Sequence, residues 1–280
     1  MMKKLIGRSD ISCTIFVPWD CNNHCAFCNT KNEYKNSKCT NLDNIQKIKQ
    51  SIIEVASMPS INAYTFTGGE PFNNPEKLLD MAKACKDAAP DKKVYINTYM
   101  PKEFIDSDEY EEFMSSPSID GISISMPVGQ LNFFKHLLDI KEFERVIRFK
   151  NKIRINAYVP DDCSLGNLEN YLSIVEPFLK EGIHINLRAD YNHITPDTLG
   201  AVANDRVFNE LMEISSDYLG HSGCLVCRTD VFDTPYGLVY YHRGTPVTSL
   251  TIGDKLIIND LVIKQTGQLF YDWPEDDWLE

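Results

Sequence analysis

One stretch near the N-terminus indicates both fold and chemistry: Ile11-Ser12-Cys13-Thr14-Ile15-Phe16-Val17-Pro18-Trp19-Asp20-Cys21-Asn22-Asn23-His24-Cys25-Ala26-Phe27-Cys28. All of its first seven residues except Ser12 are apolar or β-branched, and they predict a buried strand. Cys21, Cys25 and Cys28 follow within eight residues. Three thiolates so close together can bind three irons of a [4Fe-4S] cube and leave the fourth iron open to a ligand. A zinc loop with His24 is the alternative, although zinc ligands usually come in two pairs.

The surrounding sequence predicts alternating strands and helices. Six short apolar runs predict strands at Ile11–Val17, Ile61–Phe66, Lys93–Asn97, Ile119–Ser125, Ile153–Val159 and Ile183–Arg188. Helical periodicity separates them, as in a parallel βα array. A closed barrel needs eight such units. The sequence therefore predicts an α/β fold with an open, partial (β/α)6 barrel.

Two of the predicted helices carry start signals. Thr40 and Asp43 have the spacing of a capping box, and Asn74-Pro75 combines an N-cap residue with a proline in the first turn. Cys85 lies on the apolar stripe of the second of these helices, so we expect it in the core. Further helices are predicted at Lys102–Met114, Lys141–Phe149, Leu168–Leu179 and Asn204–Tyr218.

The pattern changes near residue 220. Short strands with tight turns replace the helices at Leu238–His242, Ser249–Ile252, Leu256–Ile258, Val262–Lys264 and Gln268–Tyr271. We therefore predict two domains: a partial barrel over residues 1–220 and a small β-rich C-terminal module over residues 221–280.

The composition of the chain limits its expected cellular location and its expected binding partners. The 280 residues carry a net charge of −12, so we expect no nucleic-acid duplex as a partner. No apolar run reaches ~18 residues, which predicts no membrane span. The basic N-terminus lacks the apolar core of a signal peptide, so we expect a cytoplasmic protein. Nine cysteines, an odd number, then favour metal binding or catalysis over disulfides.

A second motif narrows the interpretation. Thr67-Gly68-Gly69-Glu70-Pro71 follows the second predicted strand. Together with Cys-x3-Cys-x2-Cys and the aromatic Phe27 before the last cysteine, it resembles the signature of the radical S-adenosylmethionine (SAM) superfamily. The resemblance covers roughly residues 11 to 220. It implies a SAM-binding [4Fe-4S] cluster held by Cys21, Cys25 and Cys28, and a Gly68-Gly69-Glu70 segment that binds the amino group of SAM.

The resemblance also implies further cofactor contacts. Phe27 matches the aromatic residue whose backbone contacts adenine. Ser123 and Ser125 lie toward the end of the fourth predicted strand, where the family often has a ribose or carboxylate contact. Asn156 on the fifth strand and Arg188 at the end of the sixth are candidates for the same pocket.

Cys224 and Cys227 form a second cysteine pair. In the SPASM and twitch subgroups of the superfamily, a comparable region carries an auxiliary iron–sulfur cluster. Tyr241 stands here where a later cysteine is expected, and no cysteine follows Cys227. Three interpretations remain open: a degenerate auxiliary site completed by Cys163 or Cys39, a zinc site with His221 or His242, and a metal-free pair of thiols.

The resemblance implies an enzyme that cleaves SAM to a 5′-deoxyadenosyl radical and abstracts hydrogen from a substrate. The degenerate SPASM-like end favours a peptide, an amino acid or a nucleotide-derived small molecule as substrate. A flavodoxin- or ferredoxin-type reductant is the expected electron donor. The first strand begins by residue 11, so we expect no N-terminal leader-binding domain. The alternatives are a glycyl-radical activase acting on a partner protein, and a non-catalytic SAM or iron–sulfur module.

Overall fold

The structure is a computed structural model of the 280-residue chain. It describes residues 4–7, 11–23, 25, 28, 30, 32–58, 61–160, 163–189, 205–222, 229–242, 250–252, 255–258 and 260–271. Phe27, Cys224 and Cys227 lie outside these residues. No helix in the described ranges has both the length and the apolar character to cross a membrane.

The described residues contain fourteen strands and eight α-helices, in a mixed α/β arrangement. The strands are β1 Lys4–Gly7, β2 Ile11–Val17, β3 Ile61–Gly68, β4 Lys93–Thr98, β5 Gly121–Ser125, β6 Ile153–Val159, β7 Ile185–Ala189, β8 Asp217–Ser222, β9 Thr229–Thr234, β10 Gly237–His242, β11 Leu250–Ile252, β12 Lys255–Ile258, β13 Leu261–Ile263 and β14 Leu269–Phe270. The helices are α1 Asn44–Ala56, α2 Pro75–Ala88, α3 Lys102–Asp106, α4 Glu109–Ser115, α5 Leu131–Phe134, α6 Ile140–Ile147, α7 Leu165–Lys180 and α8 Asp205–Ile214.

The six predicted strands are confirmed as β2 to β7. Both β2 and β6 begin and end at the predicted residues. Along β6 every second residue is buried, from Ile153 to Val159, because alternate side chains of a strand face opposite sides of the sheet. Apolar periodicity in the sequence was therefore enough to locate these strands.

The chain divides into two compact units. The first comprises Met1–Ile122 and Thr248–Glu280. Its main sheet has the order β14-β13-β2-β3-β4, and all neighbouring strands are parallel except β13 and β14. A small second sheet contains β1, β12 and β11. Side chains of α1 and α2 contribute to the core of this unit, among them Ile48, Ile52 and Met81.

The second unit comprises Ser123–Val247. Its strands follow the order β6-β7-β10-β9-β8. Strands β6, β7 and β10 are parallel, β9 is antiparallel to β10, and β8 is antiparallel to β9. The strands after residue 220 thus occur in both units: β9 and β10 here, and β11 to β14 in the first. The division at residues 220 and 221 stays a prediction.

Two helix predictions need correction. The helix expected to reach Tyr218 ends at Ile214, because Asp217 and Tyr218 pair with β9 instead. The helix expected over Lys102–Met114 is divided into α3 and α4 by Ser107, whose backbone is extended and whose hydroxyl donates to the carbonyl of Phe104 at 2.8 Å.

Candidate metal centre

The three cysteines lie in the loop that directly follows β2. All three side chains are half-buried. The loop turns back on itself, since the N–H of Cys28 donates to the carbonyl of Cys25 at 3.2 Å. The N–H of Asn23 donates to Cys21 Sγ at 3.3 Å, and Cys28 Sγ lies 3.7 Å from Thr30 Oγ1. Donors beside sulfur favour the thiolate form that a metal requires.

The pKa values of the cysteine thiols depend on burial, on one another and on Glu70. Burial raises the pKa of Cys21 and of Cys25 to about 11 in the metal-free chain. Smaller increases in the pKa of Cys25 come from Cys21, Cys28 and Glu70, so these groups lie within electrostatic reach of each other. Binding of a metal would have to displace protons from these thiols.

The three thiols are the kind of donor that an iron–sulfur cluster uses. In a four-iron cluster each thiolate binds a different iron, so three thiolates leave one iron without a cysteine. Three neighbouring, half-buried thiols in one loop therefore suit a cluster with one iron left open.

Gly68 and Gly69 allow a close approach between the end of β3 and the start of the cysteine loop. Gly68 has φ +105°, and a Cβ there would overlap the hydroxyl of Tyr34. A Cβ on Gly69 would overlap the carbonyl oxygen of Trp19. Only glycine permits both contacts, which explains the Gly-Gly pair.

Hydrogen bonds then join the Gly68-Gly69-Glu70 segment to the residues just before Cys21. The N–H of Glu70 donates to the carbonyl of Asp20 at 3.2 Å, and Trp19 Nε1 donates to the carbonyl of Glu70 at 2.8 Å. Asn73 Nδ2 also donates to the carbonyl of Asp20, at 3.0 Å. The two motifs singled out in the sequence are thus direct neighbours in the first unit.

The Glu70 carboxylate is turned inward and is 2% exposed. Its Oε1 accepts from Phe72 N at 2.9 Å and from the Thr98 hydroxyl at 2.6 Å, and its Oε2 accepts from Tyr99 N at 3.1 Å. Burial raises the pKa of Glu70 to about 7, and these three donors lower it in part. The carboxylate therefore connects the ends of β3 and β4.

Thr98 and Tyr99 were not singled out from the sequence. Tyr99 is half-buried, and its pKa is raised by burial first and then by Glu70 and Cys21. Both residues come at the end of β4, the next parallel strand after β3. The rule that ligand sites lie beyond the carboxyl ends of parallel strands was the signal that could have found them.

The other candidate residues lie in or at the start of the second unit. Ser123 is buried, and its Oγ accepts from Arg154 Nε, a residue that sequence reasoning missed. Asn156 Oδ1 accepts from Asn186 Nδ2 at 3.4 Å. Ser125 is half-buried at the end of β5, and Arg188 is exposed. Asn156 and Arg188 are not direct partners, although they lie on adjacent strands and face the same side of the sheet.

A histidine lies beside Arg188. His242 is its register partner on β10, and Thr229 Oγ1 lies 3.0 Å from His242 Nδ1. Burial lowers the pKa of His242 to about 4, with a further contribution from the Arg188 charge. The imidazole is therefore neutral near pH 7.

The second cysteine pair lies outside the described residues, but the strands on either side are described. Ser222 of β8 pairs with Thr229 of β9, so residues 223–228 connect two antiparallel strands. His221 Nδ1 lies 2.7 Å from Asp230 Oδ1, which also accepts from the Tyr218 hydroxyl at 2.7 Å. Asp230 is fully buried and the His221 side chain is 55% exposed. Asp230 thus orients His221 through Nδ1.

Comparison with known proteins supports an iron–sulfur protein. Residues 7–125 match a family model described as a 4Fe-4S single cluster domain. The matched segment includes Cys21, Cys25, Cys28 and Gly68–Glu70. No curated protein matches the chain.

Proposed function

We propose that this protein is a radical SAM enzyme. Cys21, Cys25 and Cys28 would hold a [4Fe-4S] cluster, and SAM would bind at the iron without a cysteine. The bound cluster and SAM would supply one-electron chemistry. Reduction of SAM would split it into methionine and a 5′-deoxyadenosyl radical, and this radical would abstract hydrogen from a substrate. The single observation that carries the proposal is the hydrogen bond between Asp20 and Glu70, which joins the cysteine loop to the Gly-Gly-Glu segment.

The chain's own residues would bind and orient SAM. The Gly68-Gly69-Glu70 segment would bind its amino group through the backbone of Gly68 and Gly69, because both the carboxylate and the backbone of Glu70 are already bonded. Phe27, Ser123, Ser125, Asn156 and Arg188 are proposed as further cofactor-binding residues. The β2 to β7 array is proposed to form the partial (β/α)6 barrel that the family uses to exclude water around the radical.

The substrate class and the partners are also proposals. A peptide, an amino acid or a nucleotide-derived small molecule is favoured by the degenerate SPASM-like end, and a flavodoxin- or ferredoxin-type protein would deliver the electron. The net charge of −12 disfavours a nucleic-acid duplex. The proposed cellular location is the cytoplasm.

We propose a second metal site at Cys224 and Cys227, of either the iron–sulfur or the zinc type. The support is His221, three residues before Cys224, whose Nδ1 is held by Asp230. Metal-binding histidines commonly bond a carboxylate through the other ring nitrogen in this way. Cys163, the cysteine considered as a ligand from outside the module, is 2% exposed, and its thiol donates to the carbonyl of Ser164 at 3.6 Å.

The main proposal is tested by SAM cleavage. Protein reconstituted with iron and sulfide under anaerobic conditions and reduced with dithionite should produce 5′-deoxyadenosine from SAM. Joint substitution of Cys21, Cys25 and Cys28 by Ala should abolish this product, because no thiolates remain to hold the cluster. Cys85→Ala is the matched control, since Cys85 is buried in α2.

The outcomes separate the alternatives. Undiminished 5′-deoxyadenosine from the triple variant would contradict the proposed cluster ligands. A wild-type protein that binds iron and SAM without cleaving SAM would favour the non-catalytic module. Cleavage that requires a partner protein carrying a glycyl-radical site would favour the activase.

A further inference from the structure

A short 3₁₀ helix, Glu33–Lys35, follows the cysteine loop and contacts the C-terminal part of the chain. Glu33 Oε1 accepts from Lys264 Nζ at 2.8 Å, and Glu33 Oε2 accepts from Gln265 Nε2 at 2.8 Å. The bonded residues are more than 230 positions apart in the sequence, with separations of 231 and 232. One carboxylate is thus held at both oxygens by two consecutive residues.

The Lys264 end of the ion pair is buried. The Lys264 side chain is 3% exposed and that of Glu33 is 16% exposed. Lys264 Nζ also lies 4.4 Å from the ring centroid of Phe16 in β2. Loss of either partner would leave a charge in a poorly hydrated environment, so the arrangement strongly favours one position of Glu33.

The turn that carries Lys264 and Gln265 is fixed by contacts other than those with Glu33. It follows β13, in which Ile263 pairs with Ile15 of β2. The N–H of Gly267 donates to the carbonyl of Lys264 at 2.8 Å, and the Ser51 hydroxyl of α1 donates to the carbonyl of Gly267 at 2.6 Å. The turn is therefore a fixed support, and Glu33 is positioned against it.

Tyr34, the next residue, extends the connection to the Gly-Gly-Glu segment. Its buried hydroxyl donates to the carbonyl of Val17 at 2.9 Å. The same hydroxyl packs against Gly68, where a Cβ would overlap it. The 3₁₀ helix is therefore bonded to Lys264 and Gln265 through Glu33, and Tyr34 connects it to the ends of β2 and β3.

We propose that Lys264 and Gln265 are positioning residues for the cluster and SAM site, an inference that rests on the proposed function. Through Glu33 and Tyr34 they set the distance between the cysteine loop and the Gly-Gly-Glu segment. Two residues near the C-terminal end of the described chain thereby position two motifs from the first seventy residues.

The test compares Lys264→Met and Gln265→Leu with Lys49→Met. Lys49 forms a 2.6 Å ion pair with Asp80 between α1 and α2, so its loss removes a comparable charge in the same unit. We measure the rate of iron loss to a chelator and the change that SAM causes in the electron paramagnetic resonance spectrum of the reduced cluster. In both test variants we expect iron loss to accelerate about tenfold, which is the lower end of the effect that residues supporting the metal ligands have on metal affinity. We also expect the SAM-induced spectral change to weaken.

The spectral change is the readout that a general loss of stability would not alter at full iron occupancy. If Lys264→Met does not fold, Gln265→Leu keeps the Glu33–Lys264 ion pair and still tests the inference. Iron loss and spectra equal to those of Lys49→Met would overturn the inference. A wild-type protein that binds no iron would instead refute the proposed function, so the two failures are distinguishable.

Discussion

Glu70 shows how one side chain of the site is used. A glutamate after two glycines suggests a charge that meets a ligand, yet its carboxylate is buried and bonded to Phe72, Thr98 and Tyr99. Buried carboxylates need such donors, because burial without them is costly. The residue therefore stabilises the loops that surround the cysteines, through its carboxylate and through its backbone bonds to Trp19 and Asp20.

Thr98 provides a test of this role. Its hydroxyl donates to Glu70 Oε1 at 2.6 Å and accepts from Met100 N at 2.7 Å. Thr98→Val keeps the shape but removes both bonds, so we expect the free energy of unfolding of the metal-free protein to fall by about 1–3 kcal/mol. The measurement is urea unfolding followed by circular dichroism.

Thr67→Val is the matched control for Thr98→Val. Thr67 is half-buried at the end of β3, and its side chain makes no hydrogen bond among the described residues. We expect a change within about 0.5 kcal/mol for this variant. Equal stability of the two valine variants would show that the Thr98 hydroxyl does not support Glu70.

At the scale of elements, the two helix starts predicted from the sequence had different outcomes. The start of α2 is confirmed: Asn74 accepts from Lys77 N at 3.3 Å, and Pro75 occupies the first turn. The Thr40–Asp43 capping box at α1 is wrong. Asp43 directly precedes the helix, but its side chain accepts no hydrogen bond from the N–H groups of the first turn among the described residues. Asn44 Nδ2 instead donates to the carbonyl of Lys38 at 2.7 Å, so the incoming loop determines this start.

The two N-cap residues can be compared directly. Asn74→Ala removes an acceptor from the first turn of α2, and we expect it to lower the free energy of unfolding by about 1 kcal/mol. Asp43→Ala removes no cap hydrogen bond and should cost clearly less. Both variants are measured by urea unfolding under the same conditions. A larger loss from Asp43→Ala than from Asn74→Ala would contradict the two cap assignments.

At the scale of the whole molecule, described strands after residue 220 pair with strands from earlier in the chain. Strands β9 and β10 pair within the second unit, where β10 lies parallel to β7. Strand β13 pairs in parallel with β2 of the first unit. Strands this short gain stability mainly by joining a larger sheet, since a small isolated module buries too little apolar surface.

The proposed second metal site is tested at this scale, by counting metal in the whole chain. In protein with Cys21, Cys25 and Cys28 all changed to Ala, we expect metal to be retained and then lost when Cys224→Ala is added. About four irons per chain would identify an auxiliary [4Fe-4S] cluster, and zinc would identify a zinc site. Absence of both metals, with two thiols that alkylate freely, would refute the second site.

The sequence alone determined the strands β2 to β7 and the position of both site motifs at strand ends. These features depend on short-range regularities: the alternation of apolar residues, the cysteine spacing, and the glycines required for close contact. The same regularities predicted the α2 start, where the acceptor and its donor are three residues apart.

Only the tertiary structure decided what the side chains of the site contact. Thr98 and Tyr99 bond Glu70 across 28 and 29 residues, and Lys264 bonds Glu33 across 231. It also decided that residues 217–218 continue a strand instead of helix α8. Such partners are set by which strands lie next to each other in a sheet, and no local pattern of residues encodes that neighbourhood, because it results from packing of the whole unit.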